Sequence, residues 1–337
     1  DVMIRTFHSF GAWLLRRNAA AAGIDRGFSI YDDDDSVSLV RTIYPDEHRG
    51  TLTRYARLIS RAKDYCLSPD DDLSEITPDP EFREIYRRYQ ARLSEIGNAD
   101  FGDLISLPVQ MLRAEPAVRQ RIRQRFRYVL VDEYQDSNVA QYELLKLMVD
   151  EQSYLCVVGD DDQSIYRFRG AEVRNILTFP ESFPGTTVVR LEQNYRSTRP
   201  ILDVASAVVT HNASRLGKKL WTERTGGKKP VIALLSDQDE EVAFCLNLIT
   251  ATPPGVQTAI LYRTNAQSRL FESALLREGI PYRIVGTVRF YEREEIKDAL
   301  ALLKLAANPR DEVSFRRVVN KPTRGIGKTS LDQVDAL

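Results

Sequence analysis

Apolar and polar positions follow two different rhythms along this chain. Short β-branched runs bounded by polar or turn residues alternate with stretches whose apolar residues recur every three or four positions. The clearest runs lie at 128–132 (YVLVD), 154–160 (YLCVVGD), 187–191 (TVVRL), 231–235 (VIALL), 259–262 (AILY) and 282–285 (YRIV), and each predicts a strand. Helices are predicted between them over 140–149, 200–210 and 268–278. Strands separated by helices build a parallel sheet covered on its faces, so the expected fold class is α/β.

Two stretches break this rhythm. From about 24 to 98 the chain is polar and helical, with acidic runs at 32–35 and 70–72 and a turn marked by Pro78 and Pro80. Acidic runs of this kind are expected to be helix N-termini and solvated loops rather than metal sites. From 292 onward the pattern is helical again. A helical insertion within the first α/β domain is therefore expected, and a second one near the end.

Composition changes this picture little. With 337 residues the chain is long enough for two or three domains, and 43% hydrophobic with 28% charged residues is ordinary for a globular protein. No apolar run approaches membrane-spanning length. Three cysteines, Cys66, Cys156 and Cys245, are far apart and include no CxxC pair, which argues against a disulfide framework or a zinc site and for a cytoplasmic location. The net charge of −1 does not by itself point to a polyanionic partner, so any such case rests on local sequence. The chain opens at Asp1 directly into Val2-Met3-Ile4, as expected of a piece of a longer protein.

Three segments carry candidate chemistry. In open α/β sheets ligands bind at the carboxyl ends of the strands, and the first strand ends in Asp132-Glu133. One carboxylate there can hold Mg²⁺ while the next orients and deprotonates an attacking water. The alternative is a strand that ends in a polar turn. The second strand leads to Gly159-Asp160-Asp161-Asp162-Gln163 and then to Tyr166-Arg167-Phe168-Arg169. Gln163 is placed to sense a γ-phosphate, and the aromatic–cation cluster has the chemistry of base stacking and phosphate contact. Its alternative is an amphipathic turn that packs Tyr166 and Phe168 into the core. After the third run comes Tyr195-Arg196, where Arg196 is either an arginine finger or an ordinary surface ion-pair partner.

Taken together and in order, VLVDEYQDSN, VVGDDDQSIYRFRGA and LEQNYRST closely resemble consecutive motifs of the UvrD/Rep/PcrA helicases. Thr6-Phe7-His8-Ser9-Phe10, 100–105, 261–269 and 290–298 agree with that family as well. The resemblance implies two RecA-like motor domains with helical insertions, ATP and Mg²⁺ as cofactors, and single-stranded DNA and its junctions with duplex as partners, tracked 3′ to 5′. It implies 1–22 as part of the first motor domain, 23–98 as its insertion and 99–196 as its remainder. The second motor domain would begin over 197–291 and its insertion over 292–337. Residue by residue it implies Asp132 on Mg²⁺, Glu133 as catalytic base, Gln163 and Arg196 at the γ-phosphate, and Tyr195 against the adenine. His8, Tyr166, Phe168, Arg169, Arg263 and Asn265 would face the DNA strand. Phe168 stands where many relatives carry Trp, which leaves a smaller stacking face. His8 has a second reading, as a residue that caps a turn.

A phosphate-binding loop, GxxxxGK[ST], should precede such a motor, and the chain has none. The nearest imitation, Gly325-Ile326-Gly327-Lys328-Thr329, has Pro322 where the first Gly is required. It resembles a helix-hairpin-helix turn instead, in which the amides near Gly325 and Gly327 would meet a duplex phosphate, although a plain glycine-rich turn is the alternative. Little or no ATP hydrolysis is expected of the chain alone. Two rival readings are an AddA/RecB-like helicase subunit of a recombination nuclease, which shares Arg-Phe-Arg-Gly after the Gln, and a pseudo-helicase that binds DNA without hydrolysis. Asp132, Glu133, Gln163 and Arg196 retained together argue against the second.

Overall fold

The computed structural model describes residues 2–167, 170–212, 215–285, 293–327 and 330. The chain forms two compact units. The first comprises Asp1–Glu192, Val209–Lys219 and Asp298–Leu337, and the second comprises Gln193–Val208 and Leu220–Lys297.

The first unit opens with α1 (Phe7–Arg17), α2 (Ala19–Ala22) and β1 (Ile30–Tyr31), followed by α3 (Asp33–Ile43), α4 (Arg49–Asp64) and α5 (Phe82–Glu95). It continues with β2 (Ala99–Asp100), α6 (Asp103–Ala114), α7 (Pro116–Arg125), β3 (Tyr128–Val131), α8 (Val139–Met148) and β4 (Tyr154–Val157). The short α9 (Arg174–Leu177) and α10 (Phe179–Ser182) follow. The acidic run at 32–35 is a helix start, as expected. Asp32 caps α3 in a reciprocal capping box with Asp35, and three acids occupy the first turn, where the helix dipole favours negative charge.

The two largest of this unit's hydrophobic clusters organise its helices. One, built on α3, α4 and α5, centres on Leu39, Leu52, Ile59, Phe82, Tyr89 and Leu93. The other joins α1, α6, α7 and α8 through Leu14, Val109, Leu112, Ile122 and Leu144. Helices α1 and α6 approach so closely that a Cβ at Gly11 would sit 1.7 Å from the Leu104 carbonyl oxygen, so only glycine fits there. Between the cores lies a buried ion cluster. Lys63 of α4 reaches Asp100 at 2.6 Å and Asp103 at 2.8 Å, and Tyr89 donates to Asp100 at 2.9 Å.

The last part of the first unit packs on the helical core through α15 (Glu312–Val318), which follows α14 (Glu294–Ala307). Tyr31 donates to Asp311 at 2.6 Å, Arg92 pairs with Glu312, and Asn308 donates to the Ile96 carbonyl and to Asn98. The second unit contains most of α11 (Arg199–Val209), all of α12 (Gln238–Thr250) and α13 (Ser268–Arg277), and the start of α14. Its small core is built from Val242, Phe271 and Ala274.

Sheet structure is where expectation and structure part. β3 and β4 form as expected and pair in parallel, Tyr128 to Tyr154 through Val131 to Val157. β1 and β2 make a second parallel pair. The runs at 187–191, 231–235, 259–262 and 282–285 are not strands among the described residues. The reason is that a strand is a pairing. A β-branched run supplies the side chains, but without a neighbour its ladder does not form. Consistently, Val231, Ile232, Leu234 and Leu261 are all more than four-fifths exposed. β4 ends at Val157, short of the expected Asp160, although the Val158 amide still donates to the Val131 carbonyl at 2.8 Å and its carbonyl accepts from the Tyr134 amide at 3.0 Å. The result is a helix-rich α/β chain, and no described helix is long and apolar enough to cross a membrane.

Candidate functional site

β3 delivers Asp132 and Glu133 to its carboxyl end, where both are exposed. Glu133 adopts a left-handed backbone conformation with φ 51°, uncommon for a non-glycine residue and a form of strain that persists only when neighbours fix it. Two neighbouring side chains fix it here. The Glu133 amide donates to Asp132 at 3.0 Å, and the Gln135 side-chain amide donates to the Glu133 carboxylate at 2.7 Å. The same Gln135 accepts from the Asp160 backbone amide at 3.0 Å. One buried glutamine therefore ties the tip of β3 to the loop that follows β4.

That loop carries Gln163. Its side chain donates to Asp160 at 2.8 Å, and its backbone amide donates to the Asp160 carbonyl at 2.9 Å. Gly159 is required for the approach. A Cβ there would lie 2.7 Å from the Gln135 side-chain oxygen Oε1 and 2.8 Å from the Ile176 side chain. Gln135 thus joins the strand tip that carries Asp132 and Glu133 to the loop that carries Gln163. Gln135 and Gly159 were missed. The only signal for them is their place inside the motifs, one residue from a carboxylate.

Asp160, Asp161 and Asp162 lie close enough together to suggest a cation site. The charge is already met from within the chain. Arg215 clasps Asp162 with two bonds of 2.7 Å, Lys218 pairs with Asp160, and the Leu216 amide donates to Asp161 at 2.9 Å. Hydrogen bonds from Arg215 hold the Asp162 carboxyl below the usual aspartate range. The acidic loop is a structural clasp around Gln163, and neither Arg215 nor Lys218 stands out in the sequence. Asp132 fits a magnesium ion better. Its carboxylate is exposed and only one oxygen is engaged, by its neighbour's amide.

Behind the motif, Asn138 donates to Asp64 of α4 at 2.7 Å, and Gly170 packs against the same carboxylate. Burial raises the Asp64 pKa to about 7, only partly opposed by the Asn138 hydrogen bond. A carboxyl whose folded pKa lies above its unfolded one binds its proton more tightly in the native state, so its ionisation costs stability. Stability of the first unit is expected to fall as pH rises from about 4 to about 7. Asp64→Asn should keep the acceptor for Asn138, flatten that dependence and raise the melting temperature above pH 7 by a few degrees. Thermal unfolding of both proteins from pH 5 to 8 checks this, and parallel curves would contradict it.

In the second unit the LEQNYRST segment forms a tight turn. Asn194 accepts from the Arg196 and Ser197 amides at 3.0 and 2.7 Å, and its own amide donates to the Trp221 carbonyl. Tyr195 and Arg196 are left exposed, with Arg224 fastening their carbonyls from below. Arg263 and Asn265 lie in a second exposed turn, closed by Gln267. In the first unit, His8 is the second residue of α1. It is not a turn cap, because Thr6 caps the helix, and its ring meets Phe101 edge-on at 5.9 Å. Burial lowers its pKa. Tyr166 is 40% exposed rather than packed in the core. Phe168 and Arg169 lie outside the described residues, as does Lys328. Gly325, with φ 73°, and Gly327 have open space where a side chain would be.

Residues 1–184 match the UvrD/REP helicase N-terminal domain, and residues 189–337 match the UvrD-like helicase C-terminal domain. The chain is 41% identical to the ATP-dependent DNA helicase PcrA of Bacillus subtilis, over 99% of this chain and 47% of that protein. It is 43% identical to the ATP-dependent DNA helicase UvrD1 of Mycobacterium tuberculosis, over 96% of this chain and 45% of the relative. DNA helicase II of Salmonella typhimurium is 41% identical, over 98% and 47%. The chain spans about half the length of the curated relatives it matches.

Proposed function

The chain belongs to the UvrD/REP helicase family, and on that premise we propose that it is the central part of an ATP-driven 3′ to 5′ DNA helicase. The observation that carries this reading is the Gln135 bridge, which holds the strained Glu133 and the Gln163 loop in one arrangement. Two exposed carboxylates at a strand tip, locked to a γ-phosphate sensor, suit ATP hydrolysis with conformational readout. In this reading Asp132 holds Mg²⁺, which offsets the phosphate charge, and Glu133 takes the proton of the attacking water. Gln163 reports the γ-phosphate, Arg196 neutralises developing charge and Tyr195 lies along the adenine. Residues 1–22 and 99–196 serve the first motor domain and 23–98 its insertion, while 197–291 and 292–337 serve the second in the same way. The exposed Arg263, Asn265 and Tyr166 and the half-buried His8, with Phe168 and Arg169, face single-stranded DNA, and Gly325 and Gly327 meet duplex at a junction. Three free cysteines suit a cytoplasmic setting.

Without the lysine and amide cradle of a phosphate-binding loop, the β- and γ-phosphates lose most of their contacts. The purified chain is therefore expected to hydrolyse little or no ATP while binding single-stranded DNA in a salt-sensitive way. An ATPase assay with and without DNA, beside a binding titration, tests both halves. Robust DNA-stimulated hydrolysis would overturn the first, and no DNA binding at low salt would overturn the second.

A further inference from the structure

The loop that carries Gln163 holds three consecutive carboxylates, Asp160, Asp161 and Asp162. Left alone, they put three negative charges beside the residue proposed to meet a γ-phosphate, which is itself an anion. Like charges at such range repel strongly in partly buried surroundings. A short stretch of chain more than fifty residues away removes most of that charge. Arg215 grips Asp162 through two bonds of 2.7 Å, and Lys218 pairs with Asp160 and lies 3.6 Å from Asp162. The Leu216 amide donates to Asp161 at 2.9 Å. Both cationic side chains are under a fifth exposed, so salt screens them only in part.

The stretch is built to present these two cations. Gly217, between them, turns the chain at φ 68°, in the left-handed region that favours glycine. Arg190 donates to the Leu216 carbonyl at 3.3 Å and the Lys219 amide donates to Glu192 at 3.0 Å, so the backbone is anchored independently of the acids. Asp160 is the meeting point. One of its oxygens takes Lys218 and the Asp162 amide, and the other accepts from the Gln163 side chain at 2.8 Å. A primary amide has two N–H groups, so Asp160 orients Gln163 through one and leaves the other for a further acceptor.

We infer that Arg215 and Lys218 are positioning residues for the nucleotide: by neutralising the acidic loop they let the γ-phosphate approach Gln163 without repulsion from that residue's own neighbours. The inference rests on the ATP-binding reading of Gln163 and extends it to two residues that no motif contains. Three carboxylates against two cations leave one net negative charge beside the phosphate in place of three. ADP, which lacks the γ-phosphate, is spared most of this repulsion, so the clasp discriminates between the two nucleotides.

The test uses a protein that joins this chain to a phosphate-binding loop. It compares affinity for ADP with that for adenylyl imidodiphosphate, which carries a γ-phosphate and is not hydrolysed. Lys218→Met should weaken binding of the analogue about tenfold, the size of one unit charge acting through partly solvated protein, and leave ADP nearly unchanged. The deficit should shrink as salt rises from about 0.05 to about 0.5 M. Adding Asp160→Asn to Lys218→Met removes the excess charge and should restore analogue binding. Arg215→Met, alone and with Asp162→Asn, should repeat the pattern, and unfolding curves show which variants fold. Equal weakening of ADP and the analogue, or no recovery in either double variant, would overturn the inference and leave the clasp a purely structural one. If the wild type binds neither nucleotide, the ATP-binding reading itself fails, and the inference with it.

Discussion

Glu133→Gln, in a protein that joins this chain to a phosphate-binding loop, is expected to lower DNA-stimulated ATP hydrolysis by about 10²–10⁴-fold, the usual contribution of a positioned general base. The carboxylate is pre-aimed. Its backbone sits at φ 51°, and Gln135 holds one oxygen at 2.7 Å, which leaves the other for a water. The amide variant retains a carbonyl oxygen for Gln135, so the strand tip and the Gln163 loop should stay as they are. DNA affinity and thermal stability should therefore match wild type while kcat collapses. A variant that lost DNA binding in proportion to activity would show that Glu133 supports the structure rather than the proton transfer. Gln135→Ala makes a useful companion. It should lower kcat less, and it should loosen 160–163 as read by hydrogen exchange, because it removes the link between the two loops.

The second large effect is on stability. Lys63→Met should destabilise the first unit by about 3–5 kcal/mol, the cost of removing one partner from a buried ion cluster. Lys63 and Asp103 are almost fully buried, and Asp100 nearly so. Burial disfavours the ammonium, but Asp100 and Asp103 outweigh it and hold its pKa above the usual lysine value. Burial, and after it the charge of Asp100, pushes Asp103 up to about 6 even with Lys63 present. Without the lysine, the two buried carboxylates face each other with no cation between them, and keep Tyr89 and the Asp103 amide as donors to Asp100 and the Asp100 and Gln90 amides as donors to Asp103. They are expected to take up a proton on folding. The native state then binds more protons than the unfolded one, so the deficit should grow as pH rises and shrink in acid. Urea unfolding at pH 5 and pH 8 reads this directly, and an equal deficit at both values would contradict the charge argument. The cluster joins α4 to the turn that starts α6, so the loss should appear in both helices together.

How much of this was legible beforehand differs from segment to segment. The parallel β3–β4 pair, the helices α8, α11 and α13, and the acidic start of α3 all follow from local pattern and capping chemistry. Asp132 and Glu133 were placed at a strand tip because an apolar run ended in two acids. By contrast, 231–235 has as good a β-branched pattern as β3 and forms no strand among the described residues. Periodicity records which side chains can be buried. It carries no information on whether another strand lies alongside.

The acidic triad after β4 shows the same limit from the side of charge. As a string, Asp160-Asp161-Asp162 is three adjacent acids with no cation beside them. In the fold it is closed by Arg215 and Lys218, more than fifty residues away. The clean result of the sequence was the set of motifs and their order, since these are local strings whose chemistry depends on adjacent residues. The folded chain alone decided that Gln135 binds the site together and that Lys63 sits between two buried acids. Those are pair relations between remote positions. Their energies depend on distance and burial, which exist only once the backbone has brought the partners together.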